Sequence, residues 1–491
     1  MKKRHSLIKM SGGACLALFS LIAVSCAQDG FDDETWNSSV TNSTLASPNV
    51  EDIVLTASAD GKTQTLSWPV VHGAGGYLVS LYDESKPDEP IVKDSLIDRC
   101  SVNFKREEDV NYRFLLQTKG NVQLNNADAP TTSEMLFSTF TPTYATIPAG
   151  TDLAQYFVQN PVPSTGEAYN FDLEGGADYT MSDAIDFGNS NVTLRSTSKS
   201  NFAKITFTGT DAGFVISNGF TLKYLNIDCS ASAAGFISMS KAPAVDPVIV
   251  NAWGADYNFY VISNPINVIN CNVDGVNSYF FWDNQVTCWF PASVIVDNSV
   301  VHFTTPSDSK CKSGAYFWTN KGSGFIQTLT VTNSTFYSTG EAEAKYFVQY
   351  GGFGIDQTRE SIGWGQNTIS YLNCTFYNVC PAGQWGNYNG VAGKKTSYWN
   401  MKNCIFYNCS TSGVARRFLA GKQNQATAAF ENNTYMKKDG TYDNPSGYDN
   451  SGTDIKEDPL FKDPANGDFT ISGAAQVARG TGDPRWLPSN Q

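Results

Sequence analysis

Five aromatic segments in the second half of the chain carry residue types that could bind a sugar. GFISMS, YFFWDN, YFWTN, YFVQYG and RFLAGK begin at residues 235, 279, 316, 346 and 417. Sugar rings pack their C–H faces on aromatic planes, while their hydroxyl and carboxylate groups bind amide, acidic and basic side chains. The segments align on one phenylalanine each, and if that ring points inward, two-residue alternation turns its neighbours towards solvent. The predicted glycan-binding residues are Tyr279, Phe281, Asp283, Tyr316, Trp318, Asn320, Lys321, Tyr346 and Arg417.

A second interpretation of the same column stays open. A stripe of stacked aromatic residues is often the packing of a protein interior, and in that case the whole column is core and loops cover it. The phenylalanines that define the alignment are Phe236, Phe280, Phe317, Phe347 and Phe418.

Acid–base chemistry has few candidates in this sequence. Beyond the leader the chain holds only two histidines, and His302 in SVVHF is expected to lie along a strand as a hydrogen-bonded residue rather than act as a base. Proton abstraction next to a uronate carboxylate needs a base, often Arg or Lys, together with cations that stabilise the developing charge. Arg417 and Lys321 are the candidates if the chain is a lyase. Other cations near predicted strands are Lys310, Lys312, Lys394, Lys395 and Arg416.

No metal site or cofactor is predicted. The acidic residues that could supply oxygen atoms to calcium form no compact carboxylate motif. Calcium is therefore considered as a cofactor only under the hypothesis that the chain is a lyase. These residues are Asp256, Asp274, Asp283 and Asp297.

An internal repeat must position these residues. Its units have the form apolar-x-apolar-x-Asn-(Cys/Ser)-x-apolar, as in VINCNV at 268–273 and YLNCTFYNV at 371–379. Alternation over five to seven positions is the two-residue period of β-strands, and unequal intervals of 28, 35, 40, 30 and 29 residues favour a right-handed parallel β-helix with loops of different lengths. Stacked Asn residues at a bend and small Cys or Ser residues beside them are expected. The Asn positions are Asn270, Asn298, Asn333, Asn373, Asn403 and Asn432.

Charge excludes one class of partner, and composition predicts the boundaries of the remaining segments. Lys and Arg number 34 against 47 Asp and Glu, and four cations lie in the leader, so the mature balance is 30 − 47 = −17 and nucleic acid is not expected as a partner. A basic start, the apolar run CLALFSLIAV and small residues before Cys26 predict a signal peptide over 1–25. We further predict a flexible tether over 26–47, a β-sandwich over 48–145 and the β-helix with its closing segment over 150–491. The fold class is therefore all-β.

Several motifs resemble known families. The tetrad AVSC resembles the lipobox of bacterial lipoproteins, which implies cleavage before Cys26 and its acylation, and DGFDDE at 29–34 resembles the export signal of surface lipoproteins. LSWPVVHGAGGYLVSLYD at 66–83 resembles the fibronectin type III family. The repeats, followed by DPLFKDPANGDFTI at 458–471, resemble the pectate-lyase-like β-helix superfamily and the surface lipoproteins of glycan-utilisation systems. This implies attachment of the acylated Cys26 to outer-membrane lipid at the cell surface, beside other proteins of a glycan-uptake system.

Three functions remain open from the sequence. The leading one is non-catalytic capture of an acidic or plant-type polysaccharide in a groove of the β-helix, where Arg417 and Lys321 would bind carboxylate groups. The alternative is a polysaccharide lyase that cleaves pectin-like uronate glycans by β-elimination, and the third is a structural or adhesive surface protein. Nine cysteines remain after Cys15 and Cys26, an odd number, and a bridge between Cys374 and Cys404 stays open, as does the state of Cys380 and Cys409.

Overall fold

The computed structural model describes residues 40–58, 62–252, 255–351, 365–388, 391, 394–419 and 425–488. The predicted signal peptide and Cys26 lie outside these residues. Tertiary contacts divide the chain after Thr141 into two compact units. No helix in the described part is long and apolar enough to span a membrane.

The first unit consists of two antiparallel sheets, as expected for a β-sandwich. One sheet has the order β1-β2-β5 and the other the order β4-β3-β6-β7. Trp68 and Tyr77 meet edge to face in the shared core, with ring centroids 5.5 Å apart. The strands are β1 Val54–Ala57, β2 Thr63–Ser67, β3 Ala74–Asp83, β4 Val92–Ile97, β5 Ser101–Lys105, β6 Asn111–Gly120 and β7 Ser133–Ser138.

Part of the segment assigned to the tether contacts this unit. Leu45 is buried, and the backbone N–H groups of Asn42 and Leu45 donate to the carbonyl oxygens of Leu124 and Ala127. Residues 40–47 are therefore ordered against the sandwich.

The second unit is a parallel β-helix, which confirms the predicted fold class. Each complete turn contributes one strand to each of three sheets. The first sheet has ten strands: β8 Ala145–Ile147, β9 Ala168–Leu173, β12 Asn191–Ser196, β15 Phe220–Lys223, β20 Ile266–Ile269, β24 Ser293–Asp297, β27 Thr328–Thr332, β30 Asn367–Leu372, β33 Ser397–Lys402 and β35 Thr427–Glu431.

Within each turn, a strand of the second sheet follows the strand of the first sheet after a bend, and a strand of the third sheet follows the second after a corner. The second sheet contains β10 Asp178–Met181, β13 Ala203–Phe207, β16 Leu225–Asp228, β21 Asn272–Val276, β25 Val300–Phe303, β28 Thr335–Ser338, β31 Thr375–Tyr377, β34 Ile405–Tyr407 and β36 Thr434–Met436. The third sheet contains β11 Ile185–Asp186, β14 Phe214–Ile216, β17 Ile237–Met239, β22 Phe281–Trp282, β26 Ala315–Thr319, β29 Tyr346–Tyr350 and β32 Gln384–Asn387.

The remaining elements lie outside the three sheets of the β-helix. Helix α1 Leu153–Gln159 packs near its first turn, and α2 Arg416–Leu419 follows β34. The hairpin β18 Val248–Ala252 with β19 Ala255–Ile262 is inserted before β20, and β19 pairs with β23 Trp289–Pro291. After the last turn come the hairpin β37 Phe461–Asp463 with β38 Asp468–Ile471 and helix α3 Ala474–Arg479. Short 3-10 helices span Val50–Asp52, Val122–Leu124, Lys310–Ser313, Pro445–Gly447, Pro464–Asn466 and Pro484–Trp486.

The predicted asparagine ladder forms the bend between the first and second sheets. All six residues adopt left-handed backbone, with φ between 45° and 55°, a region that Asn tolerates better than most residues. Asn373 Nδ2 donates to Asn333 Oδ1 at 3.2 Å, and Asn403 Nδ2 donates to Asn373 Oδ1 at 3.0 Å. Between Asn298 and Asn333 the ladder is interrupted, because Asn333 Nδ2 donates to Asp297 at 3.1 Å instead.

The small residues beside the ladder are buried, and the cysteines among them are free thiols. Cys374 and Cys404 are fully buried and unbridged, and each Sγ lies 3.2 Å from the backbone carbonyl two residues before it. Burial raises the pKa of the Cys374 thiol, as expected of an inert packing residue. Cys380 and Cys409 are also free thiols.

Candidate functional site

The outward column of the third sheet brings two tryptophans together. Backbone pairing places Trp282 directly beside Trp318, and Trp318 directly beside Gln349. Ser238 precedes this run and Asn387 ends it, and all five side chains are partly exposed. Neighbouring strands lie about 4.8 Å apart. We call these five residues the indole column: Ser238, Trp282, Trp318, Gln349 and Asn387.

Aromatic and glycine neighbours fix the two indoles. The Tyr279 ring stacks on Trp282 with centroids 4.5 Å apart, and its centroid lies 5.2 Å from that of Trp318. Gly314 lies against the other indole, since a Cβ atom there would come within 2.3 Å of Trp318 Cε3. The Nε1 atoms of Trp282 and Trp318 and the Oε1 atom of Gln349 are themselves buried and have no hydrogen-bond partner in the described part of the chain, so the indoles present ring carbon atoms to solvent. The column is therefore a rigid aromatic surface flanked by polar groups.

Four of the predicted aromatic contacts lie in the core instead. Tyr279 is 5% exposed, Phe281 1%, Tyr316 0% and Tyr346 7%. The five phenylalanines of the alignment are buried as predicted, but alternation fails at the start of β17, β22, β26 and β29. Here the chain turns a corner, so successive side chains point inward together. The core interpretation is thus correct for these four residues, whereas Trp318 points outward as predicted.

Asp283 also has a structural position. Its side chain is fully buried, and it accepts hydrogen bonds from the backbone N–H groups of Lys321 at 2.8 Å and Gln285 at 3.1 Å. Burial raises the pKa of the Asp283 carboxyl to about 6, against the lowering effect of these bonds. The carboxylate therefore fastens one turn to the next and is not available to a ligand. Asn320 is partly exposed beside this turn, and Lys321 is exposed.

Arg417 lies on helix α2, so the prediction that it belongs to a strand of the aromatic column is wrong. Its neighbour Phe418 packs inward as predicted, with its ring centroid 4.5 Å from that of Trp399. The Arg417 side chain lies outside the described part of the structure.

His302 is hydrogen-bonded through both ring nitrogens. Nδ1 lies 2.6 Å from Asp274 Oδ1, and Nε2 lies 2.7 Å from Thr339 Oγ1, while the ring stacks on Tyr337 with centroids 4.2 Å apart. The hydrogen bond from His302 lowers the pKa of Asp274. This agrees with the expected role of His302 as a satisfied strand residue, although the sequence did not reveal its partners.

The acidic residues considered for calcium do not converge. Asp256 accepts from Asn251 Nδ2 at 2.8 Å, Asp274 binds His302, Asp283 is enclosed in its turn, and Asp297 binds Asn333. No group of three His, Cys, Asp or Glu residues that could hold a metal ion occurs within the described ranges.

Trp282 is the residue that the sequence alignment missed. The alignment paired Phe280 with Phe317, whereas the structure pairs Phe281 with Phe317. YFWTN is thus shifted by one position against YFFWDN before it and YFVQYG after it, while GFISMS and YFFWDN keep the aligned register. Aligning the two tryptophans of YFFWDN and YFWTN would have given the observed register.

Three families, each described as a domain of unknown function, match parts of the chain. DUF4992 matches residues 1–180, DUF4957 matches residues 177–339 and DUF5123 matches residues 369–486. No curated protein matches the sequence.

Two solved structures are similar to this chain. An alginate lyase of the PL6 family, AlyGC, has 13% identity and a TM-score of 0.32 over 64% of this chain and 43% of its own. Pectate lyase PelI from Erwinia chrysanthemi, in complex with tetragalacturonic acid, has 12% identity and a TM-score of 0.20 over 68% of this chain and 84% of its own. This chain thus spans less than half of the alginate lyase.

Proposed function

We propose that this protein captures a polysaccharide without cleaving it, with the indole column as its contact surface. The observation that supports this most directly is the register of Trp282 on Trp318, both partly exposed on one outward face. Two indoles one strand spacing apart can pack against the C–H faces of successive sugar rings.

The polar members of the column supply directional contacts. Ser238, Gln349 and Asn387 lie in register with the indoles. Ser238 and Asn387 offer a hydroxyl and an amide group to sugar hydroxyls, whereas the Oε1 atom of Gln349 is buried. A sugar-binding surface combines apolar faces with a few oriented polar groups in this way.

The predicted lipoprotein signal adds a location to the proposal. The signal peptide and Cys26 support attachment to the outer membrane at the cell surface by lipid, and the sandwich, with its fibronectin type III resemblance, would serve as a spacer. The partners would be the polysaccharide, outer-membrane lipid and other proteins of a glycan-uptake system.

Trp318→Ala and Trp282→Ala test the proposal in purified residues 27–491. Each should weaken retention of a bound glycan in affinity gels by about 1 to 3 kcal/mol, because each removes a stacking surface. Tyr398→Ala is the matched control, since Tyr398 is an aromatic residue on the outward face of the first sheet, 37% exposed.

Two further measurements identify the outcomes that would contradict the proposal. Ultraviolet absorbance of unsaturated products, with and without calcium, is measured on the same samples, and its appearance would replace capture by lyase activity. If both tryptophan variants bind every glycan as the unchanged protein does, the indole column is not the contact surface. Melting temperatures identify a variant that has lost its fold, since truncating a fully buried tryptophan costs about 3 to 5 kcal/mol.

A further inference from the structure

Two cavities lie side by side where the second sheet turns into the third. The first has a volume of about 420 Å³ and is lined by Lys312, Glu341, Glu343, Lys345 and the turn at 382–383. The second has a volume of about 520 Å³ and is lined chiefly by Lys437, Lys438, Asp439, Asp443, Pro381 and Thr411. We call the two cavities together the lysine trough.

The turn at 381–383 joins the two cavities. Thr411 donates from its backbone N–H at 3.0 Å and from Oγ1 at 2.9 Å to the carbonyl oxygen of Gly383, so the rim of one cavity is bonded to the rim of the other. The lining comes from five successive turns of the coil, which at about 4.8 Å each gives a trough about 19 Å long, parallel to the helix axis. A surface of this shape suits an extended polymer rather than a compact ligand.

Most of the acidic groups in the trough already have partners. Glu343 Oε1 accepts from the Ala382 backbone N–H at 2.6 Å, and Asp439 Oδ1 accepts from the Thr441 backbone N–H at 3.0 Å. Asp443 Oδ1 lies 3.9 Å from Lys437 Nζ. Lys345 and Lys438 are exposed and have no ion pair within the described ranges, although the Lys345 ammonium lies 5.4 Å from the Tyr346 ring centroid. Glu341 and Asp439 are the exposed acidic residues of the lining, whose four lysines and four acidic residues balance in formal charge, so recognition of an acidic group would depend on the local position of the two unpaired lysines.

The trough adjoins the indole column through Gly314. Gly314 lies against the Trp318 ring, two residues after Lys312, and its carbonyl oxygen accepts from the backbone N–H of Tyr346, next to Lys345. A chain stacked on Trp318 can therefore extend into the first cavity. Exposed ammonium groups bind carboxylate or sulfate groups as point charges.

We propose that the lysine trough binds the acidic groups of an extended anionic polysaccharide, with Lys345 and Lys438 as the cations that contact them. This rests on the proposed function, because it extends the same glycan-binding face. It assigns the choice of acidic glycans to Lys345 and Lys438, whereas the sequence suggested Arg417 and Lys321.

The test compares Lys345→Ala/Lys438→Ala with Lys204→Ala, an exposed lysine on the second sheet, in residues 27–491. Binding to polygalacturonate, a sulfated galactan and a neutral glucan is measured by calorimetry at low and physiological salt. The double variant should lose about three- to tenfold in affinity for an acidic polymer and show a weaker dependence on salt. Polygalacturonate and the sulfated galactan distinguish carboxylate from sulfate recognition.

Glu341→Gln provides a test of opposite sign. Removing the exposed carboxylate should strengthen binding of the same acidic polymer, because it removes repulsion from the first cavity. Equal affinities of the double variant and Lys204→Ala, or an unchanged protein that retains neither acidic polymer, would overturn the proposal. A loss of affinity confined to acidic polymers in the double lysine variant supports the lysine trough. Trp318→Ala should instead lower affinity for every polymer that binds. The two patterns distinguish failure of the trough from failure of the indole column.

Discussion

Gly314 controls the position of the Trp318 indole. An added Cβ atom would lie 2.3 Å from Trp318 Cε3 and 2.4 Å from Cζ3, closer than any real contact allows. Gly314→Ala should therefore displace the indole, shift its fluorescence and lower glycan affinity by about the same 1 to 3 kcal/mol as removal of the ring.

Gly365 offers the matched control for this change. A Cβ atom at Gly365 would meet nothing within 4 Å, so Gly365→Ala should leave both fluorescence and affinity unchanged. If Gly314→Ala binds glycan normally while its tryptophan emission shifts, the orientation of Trp318 is not important for binding.

Asp283 should make stability depend on pH in a defined direction. Burial raises the pKa of its carboxyl from 3.8 to about 6 in the folded state, so the folded protein binds this proton more tightly than the unfolded chain. Its contribution is fully present below about pH 4 and is lost as the pH rises through 6. Asp283→Asn should therefore remove this pH dependence of the free energy of unfolding. The change amounts to about 3 kcal/mol between pH 4 and 7, because each unit of pKa shift corresponds to about 1.4 kcal/mol.

Urea unfolding at a series of pH values checks this expectation. The comparison is between the two proteins at each pH, because exposed acids elsewhere contribute equally to both. Parallel profiles for the two proteins would show that Asp283 does not titrate in this range.

The asparagine ladder is the element that holds successive turns at the first bend. Asn403 donates to Asn373 at 3.0 Å, accepts from Asn432 at 3.1 Å and has a φ of 53°. Asn403→Leu should lower the free energy of unfolding by about 1 to 3 kcal/mol, because it removes two amide hydrogen bonds and places a poorly suited residue in left-handed backbone. Denaturant unfolding measures the loss.

Asn403→Gly separates the two causes. Glycine tolerates the positive φ but has no amide, so it isolates the hydrogen-bond part of the loss. Unchanged stability in both variants would mean that the ladder does not stabilise the coil.

The same elements show what sequence can and cannot predict. The asparagine ladder follows from the repeat alone, because left-handed backbone demands a particular residue type at each turn. The third sheet does not, since β22 has only two residues and the corner before it buries both Phe280 and Phe281. Two-residue alternation cannot be read from so short a strand, and the alignment of YFFWDN with YFWTN was therefore wrong by one residue.

Helix α2 shows a second reason why the site prediction was incomplete. Phe418 is fully buried in α2 just as it would be in a strand, and it packs against Trp399 and Tyr388. Burial of one ring therefore does not reveal the element that carries it, so the position of Arg417 could not be derived from its neighbour.

At the scale of the β-helix unit, the closing segment determines which outward face remains accessible. Phe469 contacts Tyr337 and Tyr377, with ring centroids 5.1 and 5.5 Å apart, and Phe461 lies 5.9 Å from Tyr407. These three tyrosines form an aromatic column on the second sheet that resembles a sugar-binding surface but is covered by the protein's own hairpin. The partly exposed indole column on the third sheet is therefore the better candidate.

The thiols give a prediction for the whole folded chain. The nine cysteines of residues 27–491 are all free, seven are buried, and Cys100 and Cys288 are partly exposed. Burial raises the pKa of thiols such as Cys271, to about 12, and only the thiolate reacts with a disulfide reagent. At neutral pH the native protein should expose at most the two partly exposed thiols to such a reagent, whereas nine should react in denaturant without reductant.

A count of seven in denaturant that rises to nine after reduction would instead reveal one disulfide. Because Cys374 and Cys404 lie on adjacent turns, they are the pair to examine first by mass spectrometry.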